Sequence, residues 1–365
     1  MFNLFKTPPF GIDISDHSIE IISLKGSFNN PRLFAMGRRI LKPGIVEDAK
    51  IFNKEALKKS LLDLIKSPEF GKINTNKFIF SLPESKTFTL VFKLPKDLTK
   101  KKELDFIKSK VNQNLPFKIE DLCLDFRISP SIKQTGGKEV FLVAATKEIV
   151  NDYLKFFKSL GFYPTIIETE SESFGRSLIQ DSGEVVLIVD IGARTTNFSI
   201  FDNKELRFSS TSEVAGNKFT GCLANGLKIS LNEADRLKKR NGLSPKAKQG
   251  RVFLIIQKEI QAIVLEIRDI EKYFKKKENK EIKKIILAGG SAMLPLLPKY
   301  LEENLEKPVV IGEPWTRINI DILRKKQYVK KALNLSPILY TVCIGSALRG
   351  LMKDSKQAGI NLTKK

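Results

Sequence analysis

One pattern occurs twice in this 365-residue chain, once in each half. Phe10-Gly-Ile-Asp-Ile-Ser-Asp-His-Ser-Ile-Glu-Ile-Ile-Ser-Leu-Lys25 aligns with Leu187-Ile-Val-Asp-Ile-Gly-Ala-Arg-Thr-Thr-Asn-Phe-Ser-Ile-Phe-Asp202. Asp13 meets Asp190, Ile14 meets Ile191, Ser15 meets Gly192, and Ser18 meets Thr195. Each copy runs as an apolar strand ending in Asp, a tight polar turn, and a second alternating strand. That is a β-hairpin with a polar tip. The hairpin occurs once in each half of the chain.

The turn chemistry gives the repeat a purpose. Small residues at a tight turn expose successive backbone N–H groups, which form a nest for phosphate oxygens. Ser15, Asp16, His17 and Ser18 in the first copy, and Gly192, Arg194, Thr195 and Thr196 in the second, line these tips. Asp13 and Asp190 at the strand ends are placed to orient a hydrated Mg²⁺, a hard cation that prefers carboxylate and water oxygens. Two such hairpins facing each other across a cleft would clamp a phosphate tail. The alternative is a pair of ordinary hairpins whose turns face solvent. His17 is the sole histidine, so a site built on several histidines is excluded.

A third element lies downstream. Ile285-Ile-Leu-Ala-Gly-Gly-Ser-Ala-Met-Leu-Pro-Leu-Leu reads as a buried strand, a Gly-Gly turn and a helix starting near Leu294. Gly289 and Gly290, followed by Ser291, let the backbone approach a flat ring or ribose closely. After two phosphate hairpins, this order resembles the adenosine loop of the superfamily of actin, sugar kinases and heat-shock ATPases. That resemblance implies ribose and base contacts from Asp235 and Lys238, three apart on one helix face. An ordinary i,i+3 ion pair is the other reading.

Across nearly the whole length the chain resembles the PilM family, the actin-like cytoplasmic proteins of type IV pilus assembly, related to the division protein FtsA. The resemblance rests on the joint order of several segments. These are Leu94-Pro-Lys-Asp-Leu with the following helix 103–114, Leu115-Pro-Phe-Lys-Ile-Glu-Asp-Leu-Cys-Leu-Asp-Phe, Val140-Phe-Leu-Val-Ala-Ala-Thr-Lys-Glu-Ile-Val, Ile166-Ile-Glu-Thr-Glu-Ser-Glu-Ser-Phe-Gly-Arg, Ala215-Gly-Asn-Lys-Phe-Thr and Ile344-Gly-Ser-Ala-Leu-Arg-Gly. It implies a two-lobed actin-like α/β fold with ribonuclease H-like cores. The first lobe would hold 1–84, 164–184 and 339–365, with an α+β subdomain inserted at 85–163. The second lobe would span 185–338, mostly helical over 215–280. The resemblance further implies ATP with Mg²⁺ between the lobes, a role for Gly216 beside the nucleotide, and a groove for the cytoplasmic N-terminal peptide of PilN, a bitopic membrane protein. Contacts with pilus motor and platform proteins follow from the same source. The protein would then be cytoplasmic and peripheral at the inner membrane face, through its partner.

The first hairpin departs from the family pattern of Asp-Ile-Gly, hydroxyl residues and a lysine. Ser15 takes the glycine position, His17 a hydroxyl position and Glu20 the lysine position. Losing a cation there weakens triphosphate binding, and Arg194 on the second hairpin is placed to compensate. Hydrolysis would need a residue to orient water. Glu170 lies where the superfamily's connecting helix begins. Yet Glu168, Glu170 and Glu172 alternate, and the other reading is that some of them simply face solvent at the helix start, where acids suit the dipole. A nucleotide-binding scaffold is therefore the main expectation. A small-molecule or sugar kinase and a polymerising division-type actin are the rivals.

Charge and tails narrow the partners. The net charge is +22, but the lysines are scattered and no zinc finger, RNP pattern or arginine-rich arm accompanies them, so no nucleic-acid partner is expected. Cys123, Cys222 and Cys343 are far apart without a CxxC, which suits reduced thiols. The last residues, 353–365, carry too few large apolar side chains for an interfacial helix. Gly359-Ile-Asn-Leu362 resembles the Ile-Asn-Leu core typical of the PilN peptide, which suggests that the tail occupies a peptide groove of its own or a neighbouring molecule, a route to self-association; a frayed polar terminus is the alternative. For a partner peptide, Phe88, Leu90 and Phe92 offer a strand edge with side-chain pockets, or simply the face of a half-buried strand.

Overall fold

The computed structural model describes residues 7–95, 98–130, 137–180, 183–246, 250–354 and 359–364. The chain divides into two compact units. Unit 1 holds Met1–Ser177, Trp315–Leu335 and Val342–Lys365, and unit 2 holds Leu178–Pro314 and Ser336–Thr341.

Unit 1 begins with β1 (Phe10–Ile14), β2 (Ser18–Ser27), β3 (Asn30–Ile40) and the small pair β4 (Val46–Glu47) and β5 (Lys50–Ile51). Helix α1 (Lys54–Lys66) and β6 (Lys77–Leu82) follow. Asn53 caps α1 by accepting the Ala56 N–H at 2.9 Å, and the 4-then-3 spacing of Leu57, Leu61 and Leu64 buries one face. Next come β7 (Thr87–Leu94), α2 (Lys100–Asn114), β8 (Leu122–Pro130), β9 (Lys138–Thr146), α3 (Lys147–Ser159), β10 (Tyr163–Thr169) and α4 (Glu170–Leu178). The main sheet runs β10-β6-β1-β2-β3, with β1, β2 and β3 antiparallel and β1, β6 and β10 parallel. A separate three-stranded sheet, β7-β9-β8, packs with α2 around Leu94, Ile107, Val111, Val140 and Leu142. It has its own small core within the expected insertion.

Unit 2 repeats the plan. Strands β11 (Val186–Ile191), β12 (Thr196–Asp202) and β13 (Glu205–Ser212) lead to helices α5 (Gly216–Leu227), α6 (Leu231–Asn241) and α7 (Arg251–Glu278). Then come β14 (Lys284–Ala288), α8 (Leu297–Leu305) and β15 (Val309–Ile311). The sheet runs β13-β12-β11-β14-β15, again three antiparallel strands followed by two parallel neighbours. Helix α7 buries Val252, Ile256, Ile260, Ile263, Ile267, Ile270 and Phe274 at helical spacing and stops at Asn279, whose φ of 55° is left-handed. Two short helices follow, α9 (Val329–Ala332), in unit 1, and α10 (Thr341–Gly350), which from Val342 onward also belongs to unit 1.

The expected second lobe ran to residue 338, whereas Trp315–Leu335 groups with unit 1. The cause is a set of isolated contacts. Leu33 N–H donates to Asn319 O at 2.8 Å, Asn319 N–H to Pro31 O at 2.9 Å, and Gly71 N–H to the Tyr328 hydroxyl at 3.3 Å.

Candidate functional site

In unit 2, three loops from distant parts of the chain meet at the second hairpin turn. Gly192 N–H donates to Thr195 O at 3.0 Å and closes the tip. The first N–H groups of α5 then donate to it, Gly216 to Gly192 O at 3.1 Å and Asn217 to Ala193 O at 2.7 Å. From the third loop, the Ser291 hydroxyl donates to the same Gly192 carbonyl at 3.2 Å. Two glycines make this approach feasible. A Cβ on Gly216 would lie 2.6 Å from Ser291 Oγ. Gly289 has a φ of 79°, and a Cβ there would come within 2.5 Å of Asp190 Oδ1 and 2.6 Å of Ile191 O.

Asp190 is held from the neighbouring strand. It faces Asn197 in register, and the Asn197 amide donates to Asp190 Oδ2 at 3.2 Å. Asn197 in turn faces Thr211, whose hydroxyl donates to its Oδ1 at 3.1 Å. Thr196 is buried, its hydroxyl donating to Val214 O at 2.6 Å, while Arg194 is exposed at the tip. Lys238 on α6 is buried and donates to Gly216 O at 2.9 Å and to the Thr220 hydroxyl at 2.7 Å, besides pairing with Asp235 at 3.0 Å. So Lys238 braces the start of α5 at the same place. Burial pulls its ammonium below the ordinary lysine value. Burial lifts the Asp235 carboxyl, but Lys239 and Lys238 outweigh it and hold it low. Gly290 is exposed beside these groups.

The first hairpin, in unit 1, is closed differently. Ser15 N–H donates to Ser18 O at 2.9 Å. The Ser15 hydroxyl then accepts the N–H groups of His17 at 3.2 Å and Ser18 at 3.1 Å. Two donors that a glycine turn would offer to an anion are thus taken by a side chain of the turn itself. Asp16 is also occupied. Its carboxylate accepts the Asp48 and Ala49 N–H groups at 2.9 and 3.3 Å, holding the β4–β5 turn, where both residues have positive φ. His17 is exposed. The Ser18 hydroxyl accepts from Arg38 Nη2 at 3.1 Å.

Arg38 went unnoticed in the sequence. Across the sheet, Asp13 faces Glu20 and Glu20 faces Arg38, matching the row Asp190, Asn197, Thr211 of unit 2. The Arg38 guanidinium pairs with Glu20 at 2.5 Å and so brings a positive charge beside the position that Glu20 occupies. Burial nonetheless raises the Glu20 carboxyl above its ordinary value.

Glu170 opens α4, and its carboxylate accepts the Glu84 N–H at 3.1 Å, while the Glu84 carboxylate accepts the Ser171 N–H at 3.2 Å. This reciprocal pair ties β6 to the helix start. Beside it, the buried Tyr153 hydroxyl has no hydrogen-bond partner among the described residues. Burial pushes its phenol far up, and Asp16, Asp13 and Glu170 add to the shift. Of the three alternating glutamates, two do not face solvent. Glu168 and Glu172 are buried, Glu168 between Arg176 and Arg349 and Glu172 beside Arg127 at 2.8 Å. Burial pushes the Glu172 carboxyl up, but Arg127, Arg176 and Arg349 outweigh it and hold it low.

Phe88, Leu90 and Phe92 on β7 are half-buried and pack on the small core beneath α2. β7 is an edge strand of its sheet. No helix among the described residues is long and apolar enough to cross a membrane.

The type IV pilus assembly protein PilM family profile matches residues 11–351. The chain belongs to the PilM family. Among solved structures, this PilM-family chain is similar to the PilM–PilN type IV pilus biogenesis complex, with 20% identity, 94% of this chain and 99% of that one covered, and a TM-score of 0.78. It is also similar to the ethanolamine utilization protein EutJ of Carboxydothermus hydrogenoformans, with 13% identity over 95% of this chain and 91% of that one, at a TM-score of 0.55. A third is MreB5 of Spiroplasma citri bound to AMPPNP, with 16% identity, 93% and 95% covered, and a TM-score of 0.50. These likenesses establish the actin-like fold for this PilM-family chain, in agreement with the duplicated sheet order.

Proposed function

We propose that this chain is a nucleotide-binding scaffold of type IV pilus assembly that engages a PilN-type membrane protein through that partner's cytoplasmic N-terminal peptide. The observation that carries the nucleotide part is the meeting of three loops on Gly192, with Gly289 against Asp190. A Cβ would fill this cradle at either Gly216 or Gly289, so the backbone geometry is kept open at a cost in chain entropy. A phosphate chain suits the second hairpin, which has Gly192 at the turn and Arg194 at its tip. The first hairpin suits it less, because Ser15 has claimed two of its donors.

The bound state of the MreB5 structure supports the ATP reading, and the PilM–PilN complex supports the partner. Asp190 would hold Mg²⁺ through water, and the ion would neutralise phosphate charge at the second hairpin. The reading gives Glu170 no hydrolytic step, since its carboxylate is engaged with Glu84. Pilus motor and platform proteins would meet the chain at the inner membrane face, where the PilN-type partner holds it.

Titration with a fluorescent ATP analogue, with and without Mg²⁺, tests the nucleotide part. Saturable Mg²⁺-dependent binding, weakened about 10-fold or more by Asp190→Ala, is expected. A labelled N-terminal peptide of a PilN-type protein tests the partner part separately. Absence of saturable binding in either titration overturns that part.

A further inference from the structure

Near the C-terminus, residues 360–362 are docked rather than frayed. Ile360, Asn361 and Leu362 are 0%, 4% and 1% exposed, as buried as the sheet core, although they belong to no helix or strand. They lie along β10, the edge strand of the unit 1 sheet. Leu362 N–H donates to Ile167 O at 2.8 Å, and Ile167 N–H donates to the Asn361 side-chain oxygen at 3.2 Å. Thus both polar groups of Ile167 on the open edge are met by the tail, one by its backbone and one by an asparagine.

The other walls come from distant elements. Asn361 N–H donates to Asp125 Oδ2 on β8 at 2.8 Å, and Lys364 Nζ pairs with the same oxygen at 2.7 Å. The buried Arg349 guanidinium on α10 donates to Ile360 O at 2.5 Å and is itself anchored on Glu168. Of these hydrogen bonds, the one that reads a side chain of residues 360–362 is made by Asn361, while the Ile360 and Leu362 side chains are buried. The backbone contacts are those any extended peptide can make. Strand addition of this kind is a general mode of peptide recognition, with main-chain bonds giving affinity and alternate side-chain pockets giving specificity.

We propose that Ile360–Leu362 is a tethered ligand: it fills a peptide-accepting pocket on unit 1 bounded by Asp125, Ile167 and Arg349, and an extended apolar–Asn–apolar segment of a partner protein enters by displacing it. This rests on the partner-peptide reading above and moves the peptide site from the β7 edge to the β10 edge. A tethered occupant acts at the effective concentration set by its linker, on the order of millimolar for a short one, so it lowers apparent affinity for a competitor without blocking it. The tail thereby sets a threshold that the partner must exceed.

The probe is a labelled peptide, Gly-Ile-Asn-Leu-Thr-Lys, titrated into the full chain, into a chain ending at Asp354, and into full-length Asn361→Ala. Binding about 10-fold or more tighter to the truncated chain, intermediate for Asn361→Ala, and lost from the truncated chain on Asp125→Ala, is expected. Equal affinity for full and truncated chains overturns the proposal. If truncation lowers thermal stability, the peptide should raise the melting temperature of the truncated chain and leave that of the full chain unchanged; a truncated chain that is not restored overturns it. A concentration-dependent dimer of the full chain, abolished by Asn361→Ala, would mean exchange between copies and overturns it as an intramolecular device. The PilN-type peptide of the previous section separates the two readings. If it binds both chains equally and ignores the tail peptide, the partner reading stands and the tethered ligand falls. If only the tail peptide binds the truncated chain, the pocket stands and the PilN-type partner falls.

Discussion

Arg38 lies directly across the β2–β3 pair from Glu20, and its Nε donates to the Glu20 carboxylate at 2.5 Å. Glu20 is buried, and on its other side it faces Asp13. A carboxylate so placed would repel a phosphate if it were left alone. The guanidinium turns the position into a neutral pair with spare donors, one of which reaches Ser18.

Removing Arg38 strands that carboxylate. Arg38→Met is expected to cost about 3–5 kcal/mol, the usual penalty for breaking one side of a buried pair. The pH dependence has a definite sign. Glu20 has a folded value above the ordinary 4.5, so its contribution is fully present below 4.5 and is lost as pH rises through the folded value. Without Arg38 the folded value rises further, and the loss extends to higher pH. Chemical denaturation at pH 5 and pH 7 should show Arg38→Met less stable at the higher pH; a flat profile would contradict the assignment.

Ser15→Gly should improve the first hairpin as an anion site. It removes the hydroxyl that accepts the His17 and Ser18 N–H groups and returns both donors to a ligand. Two recovered charge-assisted hydrogen bonds, discounted for the looser turn, correspond to a gain of about 1 kcal/mol, or roughly 5-fold in nucleotide affinity. Nucleotide titration of the purified variant measures this, and unchanged or weaker binding would count against a phosphate role for that turn.

Gly289→Ala strains both the backbone and the packing. Its φ of 79° disfavours any side chain, and the new methyl would press on Asp190 Oδ1 and Ile191 O. A stability loss of about 1–3 kcal/mol from the backbone alone is expected. Nucleotide binding should weaken by more than that loss explains, because Asp190 must move. Thermal melting and nucleotide titration on the same preparation separate the two effects. Gly290→Ala, with open space at its Cβ beyond Leu339, should be far milder.

The repeat was legible because strand alternation and a polar tip are local patterns, and a pattern of sixteen residues survives duplication. Asp13, Asp190 and the Gly289 turn were found that way. Arg38 was not, because it lies 18 residues from Glu20 and only strand register brings them together. The same holds for Glu84 with Ser171, and for Asn319 with Leu33, which moved Trp315–Leu335 into unit 1. Glu168 and Glu172 looked like helix-start acids. Their burial depends on Arg127, Arg176 and Arg349, which arrive from three separate elements. The tail was legible as a short apolar motif in a polar end, but its pocket, built by β8, β10 and α10, left no mark in sequence.

Glu172 offers the last prediction. Its Oε2 lies near Gly359, where an added Cβ would stand 3.4 Å away, so the carboxylate borders the start of the docked tail. Arg127, Arg176 and Arg349 hold it below the ordinary 4.5 against the opposing effect of burial. For a lowered acid, the stability contribution is present above 4.5 and is lost as pH falls through the folded value. Glu172→Gln should therefore lower the melting temperature at pH 7, and the difference from the unaltered chain should shrink as pH drops below 4.5. Removing one partner from this buried cluster is expected to cost about 3–5 kcal/mol at pH 7. Melting curves of both chains across pH 3.5–7.5 give the comparison, and a gap that stays constant over that range would show that the Glu172 charge does not stabilise the fold.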